Sequence, residues 1–240
     1  MRLTSLKKYW WILLEVLALL LLSPARLAGW RFTQQVWQPL TAVQGVLGAL
    51  PIEPILSADL QGNGRLECLD RQGVKLTITD CHGQALWSSP DGWQVRDAQI
   101  GDLNHDGEPE VVLLVWRPFQ PWPIDKFLPS GGRIQNFHNQ AGLSCHIILI
   151  GWVRGGYNEL WAGSALIRPV SQIGVADLDG DGGQELVALE GHYDEQEDGG
   201  ALTVWQWNGF GFTLADQVEQ NYQGLQIIGK DQQKWVIVQK

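Results

Sequence analysis

The chain has 240 residues, and its 17 Lys and Arg against 26 Asp and Glu give a formal net charge of −9. It carries no run of basic residues, so it lacks the electrostatic footprint of a nucleic-acid-binding protein, and nucleic acid is excluded as a partner. The 13 Trp and 28 Gly favour short strands with tight turns over helices, which predicts an all-β fold.

The N-terminal segment has the pattern of an export signal. Three basic residues among the first eight precede an apolar run at 9–22 that only Glu15 interrupts. This run fits the core of a signal peptide and is shorter than the roughly 20 residues that span a bilayer as a helix. We therefore expect residues 1–29 to form a hydrophobic helix, either a cleaved signal peptide or a membrane anchor, and residues 30–240 to form an extracytoplasmic domain. The alternative is a buried amphipathic helix of a cytosolic domain.

Three cysteines agree with an oxidising compartment. Cys68 and Cys81 flank a predicted hairpin and would leave Cys145 unpaired. Spacing alone does not establish that their Cα atoms are close enough to pair, so three buried thiols remain the alternative.

An acidic turn followed by an apolar strand occurs twice in register, at residues 98–115 and 173–189. A degenerate copy precedes them at 55–67, and a shortened copy without the acids follows at 225–238. Each unit has the pattern of four short strands, and four-stranded units are the blades of a β-propeller. The sequence therefore predicts a propeller-like array of about four blades.

The last unit ends after about two strands, at Lys240. The segment 30–37 resembles 210–218, which falls in the outer strand of the preceding unit. We expect the N-terminal segment to supply the missing outer strands. The alternative is an incomplete arc that a second chain completes, because an open sheet edge invites pairing.

The acidic turns place oxygen donors at alternate positions, which is the spacing that gathers hard ligands around calcium. We call residues 59–67 loop A, residues 102–110 loop B and residues 177–185 loop C. The predicted ligands in loop B are Asp102, Asn104, Asp106, the Glu108 carbonyl and Glu110. Those in loop C are Asp177, Asp179, Asp181, the Gly183 carbonyl and Glu185. Two unit charges 4 Å apart repel by about 4 kcal/mol at an effective dielectric near 20, so crowded carboxylates favour a bound cation. The alternative is a solvated turn without metal.

Loop A is predicted to be a weak or empty site. Its equivalent positions are Asp59, Gln61, Asn63 and Glu67, with Arg65 nearby. Only two of these are carboxylates, so the loop offers less charge to a divalent cation.

An EF-hand begins with the same pattern but closes with a bidentate Glu at its twelfth position, where this chain has Leu113 and Ala188. Here the closing acid is the ninth residue, at the start of a strand. This arrangement resembles the FG-GAP or VCBS repeat family of integrin α-subunit heads and many bacterial surface proteins. The resemblance covers roughly residues 50–240 and implies a β-propeller with structural calcium in the loop joining the first two strands of a blade. The chain departs from the family in having fewer units than the seven that are usual there.

Residues 118–142 are rich in Pro and Gly and predict an inserted surface loop. Its aromatic and histidine side chains Trp122, Phe127 and His138 are candidate ligand-binding residues. The alternative is that they fold onto the propeller surface. A second acidic stretch, at 194–198, is interpreted as a solvated turn.

No sequence motif of a nucleophile, catalytic metal or phosphate-binding loop is present, and calcium is the only cofactor that the sequence predicts. The Ser144-Cys145-His146 segment precedes an apolar run that predicts a buried strand. We therefore expect an exported or membrane-anchored ligand-binding or protein-interaction module whose partner is a protein or glycan of the cell envelope. The alternatives are a polysaccharide-active lyase or glycoside hydrolase that uses the insertion and Asp125, and a purely structural repeat protein.

Overall fold

The protein is described by a computed structural model over residues 27–40, 49–121, 137–193, 199–230 and 232–240. Within these ranges the fold is all-β, as predicted, and contains no helix. No segment there has the helical length and hydropathy needed to cross a bilayer. Of the N-terminal segment predicted as a hydrophobic helix, 1–29, residues 1–26 lie outside the described residues. Its last three residues belong to a strand that starts at Leu27, so the predicted boundary at residue 30 is wrong: these residues pair with the C-terminal strand.

The strands are β1 (Leu27–Thr33), β2 (Val36–Pro39), β3 (Leu50–Pro51), β4 (Ser57–Ala58), β5 (Glu67–Gln72), β6 (Lys75–Thr79), β7 (Ala85–Ser88), β8 (Gln94–Gly101), β9 (Glu110–Pro118), β10 (Leu143–Val153), β11 (Gly156–Ala162), β12 (Val170–Ala176), β13 (Glu185–Glu190), β14 (Gly200–Trp207), β15 (Phe212–Lys230) and β16 (Gln233–Gln239). Every pairing between them is antiparallel.

The strands form four consecutive groups. Group one has the order β4-β5-β6-β7 and group two has the order β8-β9-β10-β11. The long strand β15 belongs to two groups, because its first part pairs with β14 and the part from Gln223 onward pairs with β16. Group three is therefore β12, β13, β14 and the start of β15, and group four is the end of β15 with β16, β1 and β2.

The N-terminal segment completes group four. Leu27 to Trp30 of β1 pair with Gln239 to Val236 of β16, and β1 in turn pairs with β2. The predicted pairing of the N-terminal segment with the C-terminal unit is thus confirmed. The edge of β16 that would otherwise be open is covered by the chain's own N-terminal strand.

Residues 111–116 of strand β9 are all apolar because both faces of the strand are buried there. Val111, Leu113 and Val115 pack toward group one, in a cluster with Leu76 and Ile78. Successive side chains of a strand point to opposite faces, so the residues between them, such as Leu114, pack in the cluster toward group three. A third cluster joins groups three and four. Groups two and three are therefore each packed between two neighbours.

Gln99 links the first strands of groups two and three. Its Nε2 donates to the Ile173 carbonyl at 2.8 Å, and its Oε1 accepts from the Val175 N–H at 3.1 Å. Gln99 is buried, so both hydrogen bonds are shielded from water. They fix β8 against β12, and hence loop B beside loop C.

Cys68 and Cys81 form a disulfide with a Cα–Cα distance of 4.9 Å, whereas Cys145 is a buried free thiol. Cys68 lies in β5 and Cys81 follows β6, so the bond closes the central hairpin of group one. This settles the choice between a disulfide and three buried thiols that spacing alone left open.

Candidate metal sites

Loops A, B and C occupy equivalent places, each joining the first strand of a group to its second. The first Asp of loops A and B organises the turn in the same way. In loop B the Asp102 carboxylate accepts the N–H groups of Asp106 and Gly107 at 3.1 and 3.0 Å. In loop A the Asp59 carboxylate accepts those of Asn63 and Gly64. In loop C the hydrogen bond spans only three residues, because the Asp177 carboxylate accepts the N–H of Gly180.

The closing Glu of each loop is buried and receives a backbone hydrogen bond from the residue after the first Asp. The three pairs are Leu60 N–H to Glu67 at 2.8 Å, Leu103 N–H to Glu110 at 3.0 Å and Leu178 N–H to Glu185 at 2.8 Å. Such a bond turns the carboxylate from the start of the second strand back into its loop. The same spacing thus produces the same local geometry three times.

Carboxylates converge in loops B and C as the sequence predicts for two sites. One oxygen each from Asp102, Asp106 and Glu110 lie within 4.8 Å of one another, and so do oxygens of Asp177, Asp179 and Glu185 in loop C, where Asp179 stands at the position of Asn104. Three oxygens at this separation fit around an ion whose oxygen ligands lie at about 2.3 to 2.6 Å.

Glu110 is the most buried carboxylate of loop B. It is 1% exposed, and its Oε1 accepts the N–H groups of both Leu103 and Asn104. Its Oε2 is buried and has no hydrogen-bond partner among the described residues. Burial, with a smaller contribution from the charges of Asp102 and Asp106, raises the pKa of this carboxyl to about 8, although the backbone hydrogen bonds from Asn104 and Leu103 lower it. A divalent cation would satisfy Oε2 and neutralise the cluster.

Glu185 in loop C is equally buried, but both of its oxygens have partners. Its Oε2 accepts from Leu178 and its Oε1 from the Gln206 side chain at 3.2 Å. Burial raises its pKa to about 7, to which the charges of Asp179 and Asp181 contribute. Burial also raises the pKa of Asp179. Loop C therefore also holds carboxylates that are costly to ionise without a cation, although the pKa of its closing Glu is raised less than that of Glu110 in loop B.

The other predicted ligands hold the turns together. In loop B the Asn104 amide donates to Asp106 at 3.0 Å, and the Glu108 N–H donates to Asp106 at 2.9 Å. In loop C the Gly183 N–H donates to Asp181 at 2.7 Å. Glu108 and Asp181 are exposed and are not members of the convergent carboxylate sets.

Loop A forms the same turn as loop B but has fewer carboxylates. The Asn63 amide donates to the Gln61 oxygen at 2.9 Å, where loop B has the Asn104–Asp106 contact. Backbone hydrogen bonds, that from Gly64 foremost, lower the pKa of Asp59. Loop A forms no cluster of three metal-binding side chains among the described residues.

Two residues that the sequence analysis missed, His105 and Gln184, join loops B and C. Gln184 Oε1 accepts the Asp102 N–H at 2.7 Å, and the Gln184 N–H donates to His105 Nε2 at 3.1 Å. His105 has φ 59°, in the left-handed region, where the other loops have Gly62 and Gly180. A histidine at a position that glycine fills in the other copies was the available signal.

Of the proposed ligand-binding residues, Trp122 and Phe127 lie outside the described residues, as do Asp125 and the acidic stretch 194–198. His138 is half-buried, with its ring 5.1 Å from that of Phe119 and its Nδ1 2.9 Å from the Asn139 carbonyl.

No protein-family model, curated protein or solved structure matches this chain. The functional interpretation therefore depends on the residues of the chain itself.

Proposed function

We propose that the protein is an exported, calcium-stabilised β-propeller of four blades, of the FG-GAP or VCBS type, that acts as a ligand-binding or protein-interaction module. Loops B and C are its calcium sites, and loop A is weak or empty. The observation that carries the proposal is that Glu110, a member of a convergent carboxylate set, has a buried Oε2 without a hydrogen-bond partner among the described residues. Donors made only of carboxylate and other oxygen atoms select a hard cation, which favours calcium over zinc or copper.

The arrangement of the strand groups supports the propeller. Consecutive groups pack through three separate apolar clusters, and a cavity of about 360 Å³ is lined by residues of β8, β12 and β15 and by residues 51–55, which precede β4. Representative lining residues are Ile55, Ile100, Ile173 and Ile227. Blades arranged around a central channel have this relationship.

The disulfide supports export. Cys68 and Cys81 are bonded, and structural disulfides persist in oxidising compartments outside the cytoplasm. The same location would supply calcium at the concentrations that extracellular modules use, with dissociation constants of about 0.1 to 1 mM.

The test is calcium titration by isothermal calorimetry together with thermal melting, on protein first stripped with a chelator. We expect two sites in the wild-type protein, one in Asp106→Asn, one in Asp179→Asn and none in the double variant. Calcium at ten times its dissociation constant would stabilise the fold by about 1.4 kcal/mol for each site.

Asp70→Asn is the matched control, because Asp70 is an exposed acid on β5 outside the three loops. It removes the same charge and should leave both sites intact. Absence of a calcium-dependent shift in the wild-type protein, or an equal loss in the Asp70 variant, would overturn the proposal.

A further inference from the structure

A cavity of about 600 Å³ opens at the end of group two opposite to loop B. Loop B ends at Glu110, the first residue of β9, whereas the cavity lies beside Arg117, near the other end of β9. At about 3.3 Å per residue, Glu110 and Arg117 are about 23 Å apart along the strand. The cavity is therefore independent of the proposed calcium sites.

Arg117 is the positively charged residue that lines this cavity. Its guanidinium lies 5.6 Å from the centre of the Trp93 ring, in cation–π geometry. It is half-buried and forms no ion pair with any described residue. Burial lowers the pKa of Arg117, an effect that the charge of Glu159 partly offsets. The other charged group of the lining, Asp91, is paired with Lys75 at 3.1 Å. Among the described residues, the cavity thus holds one positive charge that no anion contacts.

The floor of the cavity is polar and neutral. Ser144 is paired with Arg117 across β9 and β10, so the two side chains share one face of the sheet. His146 Nδ1 donates to the Gly163 carbonyl at 2.9 Å, and its Nε2 lies 2.7 Å from Ser144 Oγ. Since burial lowers the pKa of His146 to about 4, the ring is neutral and Nε2 accepts the Ser144 hydroxyl hydrogen. His146 therefore adds no second positive charge.

The rim adds the remaining features of a ligand site. The Gln120 and Ser164 side chains are exposed at the cavity and form no hydrogen bond with the described residues, and Phe119 lines the same cavity. Neutral hydrogen-bonding groups beside an aromatic side chain suit a sugar ring, which has both hydroxyls and an apolar face. One fixed guanidinium suits a single carboxylate.

We propose that this cavity binds an acidic saccharide, with a uronate carboxylate on Arg117 and the sugar ring between Phe119 and the hydrogen-bonding groups of Gln120 and Ser164. This assignment names a ligand class for the module and does not depend on calcium.

The test is calorimetric titration of the wild-type protein with digalacturonate, with its neutral counterpart digalactose and with acetate, followed in parallel by tryptophan fluorescence. We expect saturable binding of digalacturonate, at least tenfold weaker binding of digalactose, and at least tenfold weaker binding of acetate. Raising the salt concentration should weaken digalacturonate binding, because the contact is ionic.

Arg117→Met should weaken digalacturonate binding at least tenfold, whereas Arg31→Met, which removes an exposed arginine on β1, should leave it unchanged. Near-UV circular dichroism checks that each variant is folded. The ligand comparison and the salt dependence use only the wild-type protein, so they test the proposal even if a variant does not fold. Absence of saturable binding, equal affinity for digalactose, or insensitivity to Arg117→Met would overturn the proposal. Equal affinity for acetate would overturn the saccharide assignment.

Discussion

His105 of loop B and Gln184 of loop C meet across two strand groups, with the Gln184 N–H donating to His105 Nε2 at 3.1 Å. The Gln184 side chain also accepts the Asp102 N–H at 2.7 Å. Asp102 is a proposed ligand in loop B, and Gln184 directly precedes the proposed ligand Glu185 in loop C. The contact therefore ties the backbone of one candidate site to that of the other.

Substituting Gln184 should accordingly affect loop B as well as loop C. Gln184→Ala leaves the Asp102 N–H without its acceptor, so we expect a loss of about 1 kcal/mol in the free energy of unfolding. We also expect weaker calcium binding at the site that Asp179→Asn leaves intact. Urea unfolding and calorimetry measure the two effects. Gln72→Ala is the control, because Gln72 is exposed at the β5–β6 turn. An unchanged loop B affinity would contradict the coupling.

Glu110→Gln should separate the cost of the buried charge from the benefit of calcium. The raised pKa of about 8 means that, without metal, folded Glu110 keeps a proton that the unfolded chain releases from pH 4.5 upward. This carboxyl therefore makes the metal-free protein less stable as pH rises from about 4.5 to about 8. Glutamine has no such titration, so the variant should lose this part of the slope and also the calcium response of loop B.

The measurement is urea unfolding in chelator across this pH range, repeated with calcium. Glu108→Gln is the matched control, because Glu108 is exposed in the same loop. An unchanged calcium response in Glu110→Gln would remove Glu110 from the site.

His146 should contribute a pH dependence of the opposite sign. Its pKa is lowered from 6.5 to about 4 in the folded state, so between these values only the unfolded chain binds the proton. Its contribution to stability is therefore fully present above about pH 6.5 and falls by roughly 3 kcal/mol as pH drops to about 4.

His146→Gln should show a shallower loss of stability over this acidic range than the wild-type protein, whatever its stability at pH 7. Urea unfolding at several pH values gives the slopes. The control His82→Gln replaces an exposed histidine and should keep the wild-type slope. Equal slopes for the wild-type protein and His146→Gln would show that His146 is accessible to protons in the folded state.

Phe32 tests the contribution of the N-terminal strands. It is 1% exposed, packs in the cluster between groups three and four, and meets the Trp37 ring edge-on at 5.4 Å. Phe32→Ala should lower the free energy of unfolding by about 3 to 5 kcal/mol, because it removes a large buried side chain.

Val36→Ala is the comparison, because Val36 is 45% exposed in the adjacent strand and should cost well under 1 kcal/mol. Denaturant unfolding measures both variants. A small effect of Phe32→Ala would mean that β1 and β2 are weakly attached to group four.

The spacing of acidic residues along the chain was enough to predict which segments form the candidate metal loops. Asp102, Asp106 and Glu110 lie within nine residues, and a turn this short leaves their side chains few places to point. The strands could be predicted for the same reason: the apolar run at 111–116 and the alternation at 201–207 correspond to β9 and β14. Interactions between near neighbours in the chain decide these features.

Tertiary structure decided what lies between the units. The sequence does not indicate that Gln184 reaches Asp102, that Gln99 joins β8 to β12, or that Arg117 stacks on Trp93 above a neutral Ser144–His146 pair. Each of these contacts joins residues from different strands, loops or groups, and its geometry depends on how whole sheets pack. The acids could be predicted from their spacing along the chain, whereas the partners that orient or surround them follow only from the folded arrangement.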